Sequence, residues 1–290
     1  YGTITRPDGR TDYEGTETAP TTPGDSVLNE FKNYDDLLAA KKITGSDVSF
    51  VIPRRNWTTG TTYDIYRHDY EEYVTGSTST KVTANSTATT LFDATFYVLT
   101  TDRNVYKCLD NDGNTASTVE PTGTSTSVIT TGDGYKWKYM YTLSAAQQSN
   151  FLSTDFMAVA TNSTVSSAAT DGGIDIVKVK TAGSSYTVSG GGTSGTITNV
   201  PIRGDGSSAV CSVTLTSGAI TAVTITTNGS GYTSGYIRNA DIIGATGAGG
   251  AGSGAELDVI IPPKGGHGFN AVEELGGFFV MMNTSLEGTE

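Results

Sequence analysis

Cysteine, histidine, positive charge and long apolar runs are all scarce in this chain of 290 residues, and each scarcity removes a class of explanation. The two cysteines, Cys108 and Cys211, lie far apart in unlike contexts, which favours two reduced thiols over a disulfide framework. A reducing site of synthesis fits. Two histidines, His68 and His267, come without the spaced partners that a zinc site or a nucleophile–base pair requires. Lysine and arginine total 18 against 30 carboxylates, for a net charge of -12. Both parts of the chain are acidic, with 13 basic against 20 acidic residues up to position 170 and 5 against 10 after it. No basic face for nucleic acid results. The longest apolar run, Phe278 to Met282, has five residues, far short of the roughly 20 that span a bilayer. The start, Tyr-Gly-Thr-Ile-Thr-Arg-Pro, carries neither an apolar signal core nor an initiator methionine and reads as a trimmed or partial chain.

What is abundant is glycine, at 36 residues, with threonine, serine and 15 tyrosines, and 36% hydrophobic residues suffice for a core. That mixture predicts a mainly β protein of short strands and tight turns, with two or three helices. One helix is expected over Ser26 to Lys42, where Val27, Phe31, Tyr34 and Leu38 share a face and Gly45 follows. A second begins at Ser144, which has capping-box spacing to Gln147, and Asn270 with Glu273 repeats that logic more weakly. Strands are expected over 47–53, 95–101, 105–109 and 135–143. In the last, Tyr135, Trp137, Tyr139 and Tyr141 alternate onto one face, with Lys136 and Lys138 on the other.

An internal repeat occupies residues 171 to 261. "IDIVKVKTAGSSYT" (174–187) lies over "ITAVTITTNGSGYT" (220–233), and "GSSAVCSVTL" (206–215) lies over "GSGAELDVII" (252–261), both at an offset of 46. Each unit reads as strand, Gly-Ser-x-Tyr-Thr turn, strand, glycine-rich loop, strand. Two copies are too few for a solenoid, so a paired, two-fold-like module is expected, inserted through the linker-like flanks "SSAATDGG" and "PPKGGHG". The organisation predicted is a layered β-sandwich core over 1–170, the inserted β-repeat module over 171–261, and a return to the core over 262–290.

Motifs that carry chemistry are weak. "GAGGAG" (247–252) fits a dinucleotide pattern but leads into a strand where a phosphate site needs a helix N-terminus. "DNDGN" (110–114) lacks the later glycine and glutamate of a calcium loop and reads as a hairpin turn. Asp35-Asp36 and Glu71-Glu72 are adjacent rather than facing, the pattern of a solvated surface. Asn-x-Ser/Thr triplets at Asn56 and Asn162 follow from composition. The aromatic ladder offers a platform for sugars or bases, although packing in a core explains it equally and is preferred. Tyr186 and Tyr232, at the recurring turn, are the candidate surface-contact residues of the repeat. Neither an enzyme, a cofactor nor a metal is expected.

"PGDSVLNEFKNYDDLLAAKKIT" leading into "SDVSFVIPRRNW", then "VYKCLDNDG", then "GDGYKWKYMYTLS", resemble in order and spacing the dimeric baseplate wedge protein of T-even-type contractile-tailed bacteriophages. The closing "PKGGHGFNAVEELGGFFVMMNTSLEG" is similar to versions from marine cyanobacterial phages. The resemblance covers residues 1 to about 160 and 262–290, not the repeat, and related chains continue past "NTSLEGTE". It implies a β-sandwich protein without catalysis or cofactor. It also implies a homodimer joined to other wedge proteins in the virion tail baseplate, made in the bacterial cytoplasm, with neither nucleic acid nor membrane as partner. A receptor-binding tail fibre or tail-tip protein with a carbohydrate-binding β module, Tyr186 and Tyr232 serving as its stacking platforms, is the alternative. Pro53, Arg54, Arg55 and Trp57, with Tyr135 and Trp137, are the expected structural or interface residues. Pro53 ends strand pairing, one arginine clamps a carboxylate within the chain, and the other faces a partner subunit or a fibre protein. Trp57 is expected to cover the arginine stems or to pack at the same edge.

Overall fold

The structure, a computed structural model, describes residues 2–5, 15–16, 19–20, 37–70, 84–88 and 90–285. The chain divides into two compact units, residues 1–49 with 280–290 and residues 50–279. Strands hold 37% of the described residues against 9% in helices, which makes the fold mainly β, with several antiparallel sheets in a sandwich-like arrangement.

In the first unit, β1 (Gly2–Thr5) pairs antiparallel with β4 (Leu37–Lys41), and β2 (Gly15–Thr16) with β3 (Ala19–Pro20). The helix expected over Ser26 to Lys42 is therefore overturned at its C-terminal end. There "LLAAK" joins a ladder with Gly2–Thr5, and pairing overrides local helix propensity. Residues 26–36 of that expected helix lie outside the described residues. After β4, the amide and hydroxyl of Thr44 donate to Asp47 Oδ2 at 2.7 and 2.8 Å, closing a turn before β5 (Val48–Pro53).

In the second unit, β5 buries Val51 and Ile52, and Val51–Pro53 pair with β10 (Phe156–Ala158). Beside this pair stands a four-stranded sheet. It runs in the order β6 (Tyr97–Leu99), β7 (Asn104–Asp110), β9 (Lys136–Thr142), β8 (Ile129–Thr130). Register sets its two faces. Tyr106, Cys108, Trp137 and Tyr139 point one way and build a core with Tyr63, Ile65 and Tyr135. Tyr97 and Tyr141 point the other way and reach the β5–β10 pair, donating to the carbonyls of Pro53 at 2.9 Å and Ala158 at 2.8 Å.

The expected ladder of four aromatics on one face is thus corrected to three. An extra residue, Met140, sits between the Tyr139–Tyr106 and Tyr141–Val105 pairs, and this bulge turns Tyr141 to the opposite face. The ladder is also buried, with Tyr135 and Trp137 at 0% exposure, so it packs a core and offers no stacking surface. Among the described residues there are four short helices: α1 (Ala145–Phe151), α2 (Ser163–Ala168), α3 (Asn239–Ile243) and α4 (Ala271–Glu274). The first forms as expected, with Ser144 and Gln147 in a complete capping box. The cap at Asn270 is present too, its side chain accepting from the Glu273 amide. Helix α2 went unread, because Asn162, which caps it, looks from sequence like part of a glycosylation triplet.

The repeat is visible pair by pair. Strand β11 (Ile176–Ser184) pairs with β17 (Ser253–Ile260), and β14 (Val210–Thr216) pairs with β15 (Ala219–Thr227). Adding 46 to one partner and subtracting it from the other turns Val177↔Val259 into Val223↔Val213 and Lys178↔Asp258 into Thr224↔Ser212. Thr181↔Glu256 likewise becomes Thr227↔Val210, with a register shift next to each pair. The first repeat closes on the last strand of the second, and the second on the last strand of the first. That exchange is a pseudo-two-fold, and it encloses one core around Val177, Tyr186, Val213, Val223 and Tyr232. Strand β12 (Gly195–Pro201) extends the sheet beside β14, and β13 (Arg203–Gly204) pairs with β16 (Gly235–Tyr236). The remaining strand, β18 (Phe279–Met282), ends the described elements.

Candidate functional site

The motif "VIPRRNW" builds the fold rather than presenting charge. Arg54 donates from Nη1 to the Ser153 carbonyl at 2.8 Å and from Nε to Asn56 Oδ1 at 3.0 Å. Arg55 donates to the carbonyls of Ala94, Phe92 (3.0 Å) and Asp93 (3.3 Å) and lies over the Tyr97 ring at 4.6 Å. The carboxylate partners expected for the arginines are main-chain carbonyls instead. A planar guanidinium gathers the ends of one loop equally well, because the need there is for several donors in one plane. Trp57 is half-buried, packs against the aromatic core and donates to Ser117 Oγ at 3.1 Å.

Tyr186 and Tyr232, expected at the surface of the repeat, are buried at 0% and 3% exposure. Glycine makes the room. A Cβ on Gly252 would stand 2.2 Å from the Tyr186 ring, and one on Gly206, 46 residues earlier, 2.4 Å from the Tyr232 ring. Each hydroxyl is satisfied, Tyr186 donating to Asn239 Oδ1 at 2.6 Å and Tyr232 to the Ile202 carbonyl at 2.9 Å. Each also accepts an amide of the other repeat, from Ala255 and Ala209 respectively, both at 3.3 Å. These rings hold the two repeats together.

A cluster of buried charge appears where the sequence gave no signal. Lys107 and Lys138 stand opposite each other on β7 and β9, on the face turned away from Cys108 and Trp137. Lys107, fully buried, makes an ion pair with Glu274 at the end of α4, and its ammonium lies 4.9 Å from the centre of the Tyr66 ring. Glu274 is held in turn by the amides of Gly268 (2.8 Å) and Asn270 (3.1 Å). Burial pushes the Lys107 pKa down, against the pull of Glu274. Burial likewise lowers that of Lys138.

The loop "PPKGGHG", expected to be a linker, is packed into this cluster. Gly266 and Gly268 have φ of +94° and +92°. A Cβ on Gly266 would lie 2.3 Å from the Thr170 carbonyl oxygen, and one on Gly268 2.5 Å from Val165. Glycine is therefore required for the chain to pass. The passage buries His267 to 3% exposure, edge-on to Tyr66 with ring centres 4.9 Å apart. Burial, and then the charges of Lys107 and Lys138, hold its imidazole well below the ordinary pKa, so it is neutral at pH 7. Next to it, a cavity of about 630 Å³ opens between the core sheet and the repeat, with Lys136, Lys138, Thr170, Asp175, Asn228 and His267 in its wall. Asp175 accepts from the Asn228 amide, and burial raises its pKa.

No family model, curated protein or solved structure matches this chain. Its chemistry is therefore argued from its own residues. Among the described residues no group of three or more His, Cys, Asp or Glu is placed to hold a metal ion. Both thiols are buried, and burial raises their pKa, which leaves them protonated and unreactive at neutral pH. "DNDGN" forms a turn, with Asp112, Gly113 and Asn114 all at positive φ, and Asp110 ties Lys178 at 2.5 Å. His68 accepts the Ile261 amide at 3.2 Å through Nδ1. Arg67 reaches both Asp69 (2.7 Å) and Asp258 (3.2 Å). The contacts Asp110–Lys178, His68–Ile261 and Arg67–Asp258 fasten the repeat to residues of the preceding core.

Proposed function

We propose that this chain is a structural component of a contractile phage tail, a baseplate wedge subunit that works by assembling rather than by catalysing a reaction. The observation that carries this reading is an exposed apolar stretch on an otherwise acidic molecule. Phe278 and Phe279 are 69% and 52% exposed. Phe92 stacks edge-on against Phe278 with ring centres 5.0 Å apart, and Phe156 against Phe279 at 5.5 Å. Contiguous exposed aromatics of this kind mark surfaces that another protein covers. A second copy of the chain is the proposed first occupant, with other wedge proteins and fibre proteins joining the assembled dimer at the baseplate. In this reading the chain takes no cofactor and engages neither nucleic acid nor membrane.

The residues that carry the resemblance fit the same role, since Pro53, Arg54, Arg55, Trp57, Tyr135 and Trp137 all serve packing within the chain. The tail-fibre alternative relied on Tyr186 and Tyr232 as a sugar platform, and their burial removes that support. Light scattering after gel filtration tests the proposal on the wild type and on Phe278→Ser/Phe279→Ser. Each phenylalanine contributes about 1.5–3 kcal/mol on burial, so the double variant should dissociate at least about a hundredfold more readily and run as a monomer. A monomeric or trimeric wild type, or a variant that remains as dimeric as the wild type, would overturn it.

A further inference from the structure

We propose that the cavity between the core sheet and the repeat binds a small oxyanion, a phosphate or a short carboxylate. This goes beyond the assembly role and does not depend on it. Three observations meet there.

The first is an orphan. His267 Nδ1 is buried with no hydrogen-bond partner among the described residues, and His267 is part of the cavity wall. Buried polar atoms are nearly always satisfied, so one left alone in the wall of a polar cavity points to a ligand that supplies the contact.

The second is charge. In the cavity wall Lys136 and Lys138 stand against Asp175, an excess of one positive charge in a chain whose total is -12. The depressed basicity of His267 reports the same positive field, since Lys107 and Lys138 contribute to it. Lys138 Nζ donates to the Thr126 carbonyl at 2.5 Å, and an ammonium has two further protons to offer.

The third is size and chemistry. About 630 Å³ falls within the range of small-molecule sites, and hydroxyls of Ser127, Thr130, Thr170 and Thr224 join the lysines in the wall. An oxyanion there would accept from Lys138 and from His267 as the Nδ1–H tautomer, which a neutral imidazole can adopt. Asp175 opposes the anion and sets its affinity.

With only two histidines, the imidazole resonances of the intact protein give a direct reading, His267 reporting and His68 serving as the internal control. Titration with inorganic phosphate and, separately, with acetate should shift His267 saturably and leave His68 in place; the tighter of the two names the natural oxyanion. Asp175→Asn should tighten binding about three- to tenfold by removing the like charge, and Lys138→Met should weaken it at least tenfold. If Lys138→Met fails to fold, Asp175→Asn still decides. A non-saturating response to both anions would overturn the proposal. So would an equal response to neutral glucose, or an unchanged affinity in Asp175→Asn.

Discussion

Lys107 and Glu274 give the sharpest energetic prediction. Their side chains are 0% and 3% exposed, so neither charge is screened by water. Removing one member of such a pair costs about 3–5 kcal/mol, because the survivor is left charged in a poor solvent. For a unit of this size each kcal/mol moves the melting temperature by about 2–4 °C, so either single variant should melt roughly 6–20 °C lower. Lys107→Met should lie at the milder end, since Glu274 keeps the Gly268 and Asn270 amides. Glu274→Gln leaves an ammonium beside only the Tyr66 ring and should cost more. The double variant, Lys107→Met with Glu274→Gln, restores neutrality and should recover about 2 kcal/mol or more relative to the sum of the singles. Protonation gives an independent check. The folded pKa of Lys107 lies below its unfolded value of 10.5, so the unfolded chain binds more protons between the two and stability rises with pH in that window. Loss of Glu274 widens the window. Raising the pH towards 10 should therefore rescue part of the loss in Glu274→Gln and none in Lys107→Met. Thermal and urea denaturation followed by circular dichroism measure all of this. Single-variant losses below about 1 kcal/mol, or strict additivity in the double variant, would refute the reasoning.

The repeat predicts matched penalties at symmetry-related glycines: Gly206→Ala and Gly252→Ala each drive a methyl into a buried tyrosine ring and should each cost about 2–3 kcal/mol, read by urea denaturation. Arg54→Ala and Arg55→Ala should both lower the melting temperature without changing solution mass. Arg55→Ala should do so by more, about 2–3 kcal/mol, because three carbonyls and the Tyr97 contact are lost together. Acid should destabilise the protein in two stages. Because folded His267 titrates well below 6.5, its contribution is complete above that pH and is lost as pH falls beneath it. Asp133 follows: burial opposes its ionisation, but donors from Thr131, Val119, Thr118 and Ser117 outweigh that and hold it at about 2. Stability is then lost between pH 3.8 and 2, and Asp133→Asn should flatten this limb of a melting-temperature profile.

Periodic and local features were legible in the sequence, while features set by distant partners were not. The strands around residues 48–53, 104–110 and 136–142 show in their alternation, and α1 in its capping box. The offset of 46 survives into register because pairing acts on the same spacing of side chains in both copies. The exchange between repeats leaves no trace in that spacing, since a repeat that pairs within itself would read the same. Strand β4 was misread because apolar "LLAAK" suits a helix until Gly2–Thr5 is placed beside it. One extra residue at Met140 reversed Tyr141, a change that alternation alone does not reveal. The buried cluster was hidden for a similar reason. Lys107 in "VYKCL" looks like the solvent-facing position of a strand, and its partner Glu274 is 167 residues away. His267 looked like loop punctuation, yet three flanking glycines at positive φ mark the constrained path that buries it.

The proposed wedge role is tested most directly by immunogold electron microscopy of contractile-tailed virions, with antibodies raised against the purified protein. The account predicts label in a ring at the baseplate, at the tail end nearest the host, on extended and contracted tails alike. Label confined to the distal tips of fibres, or absent from the tail, would contradict it.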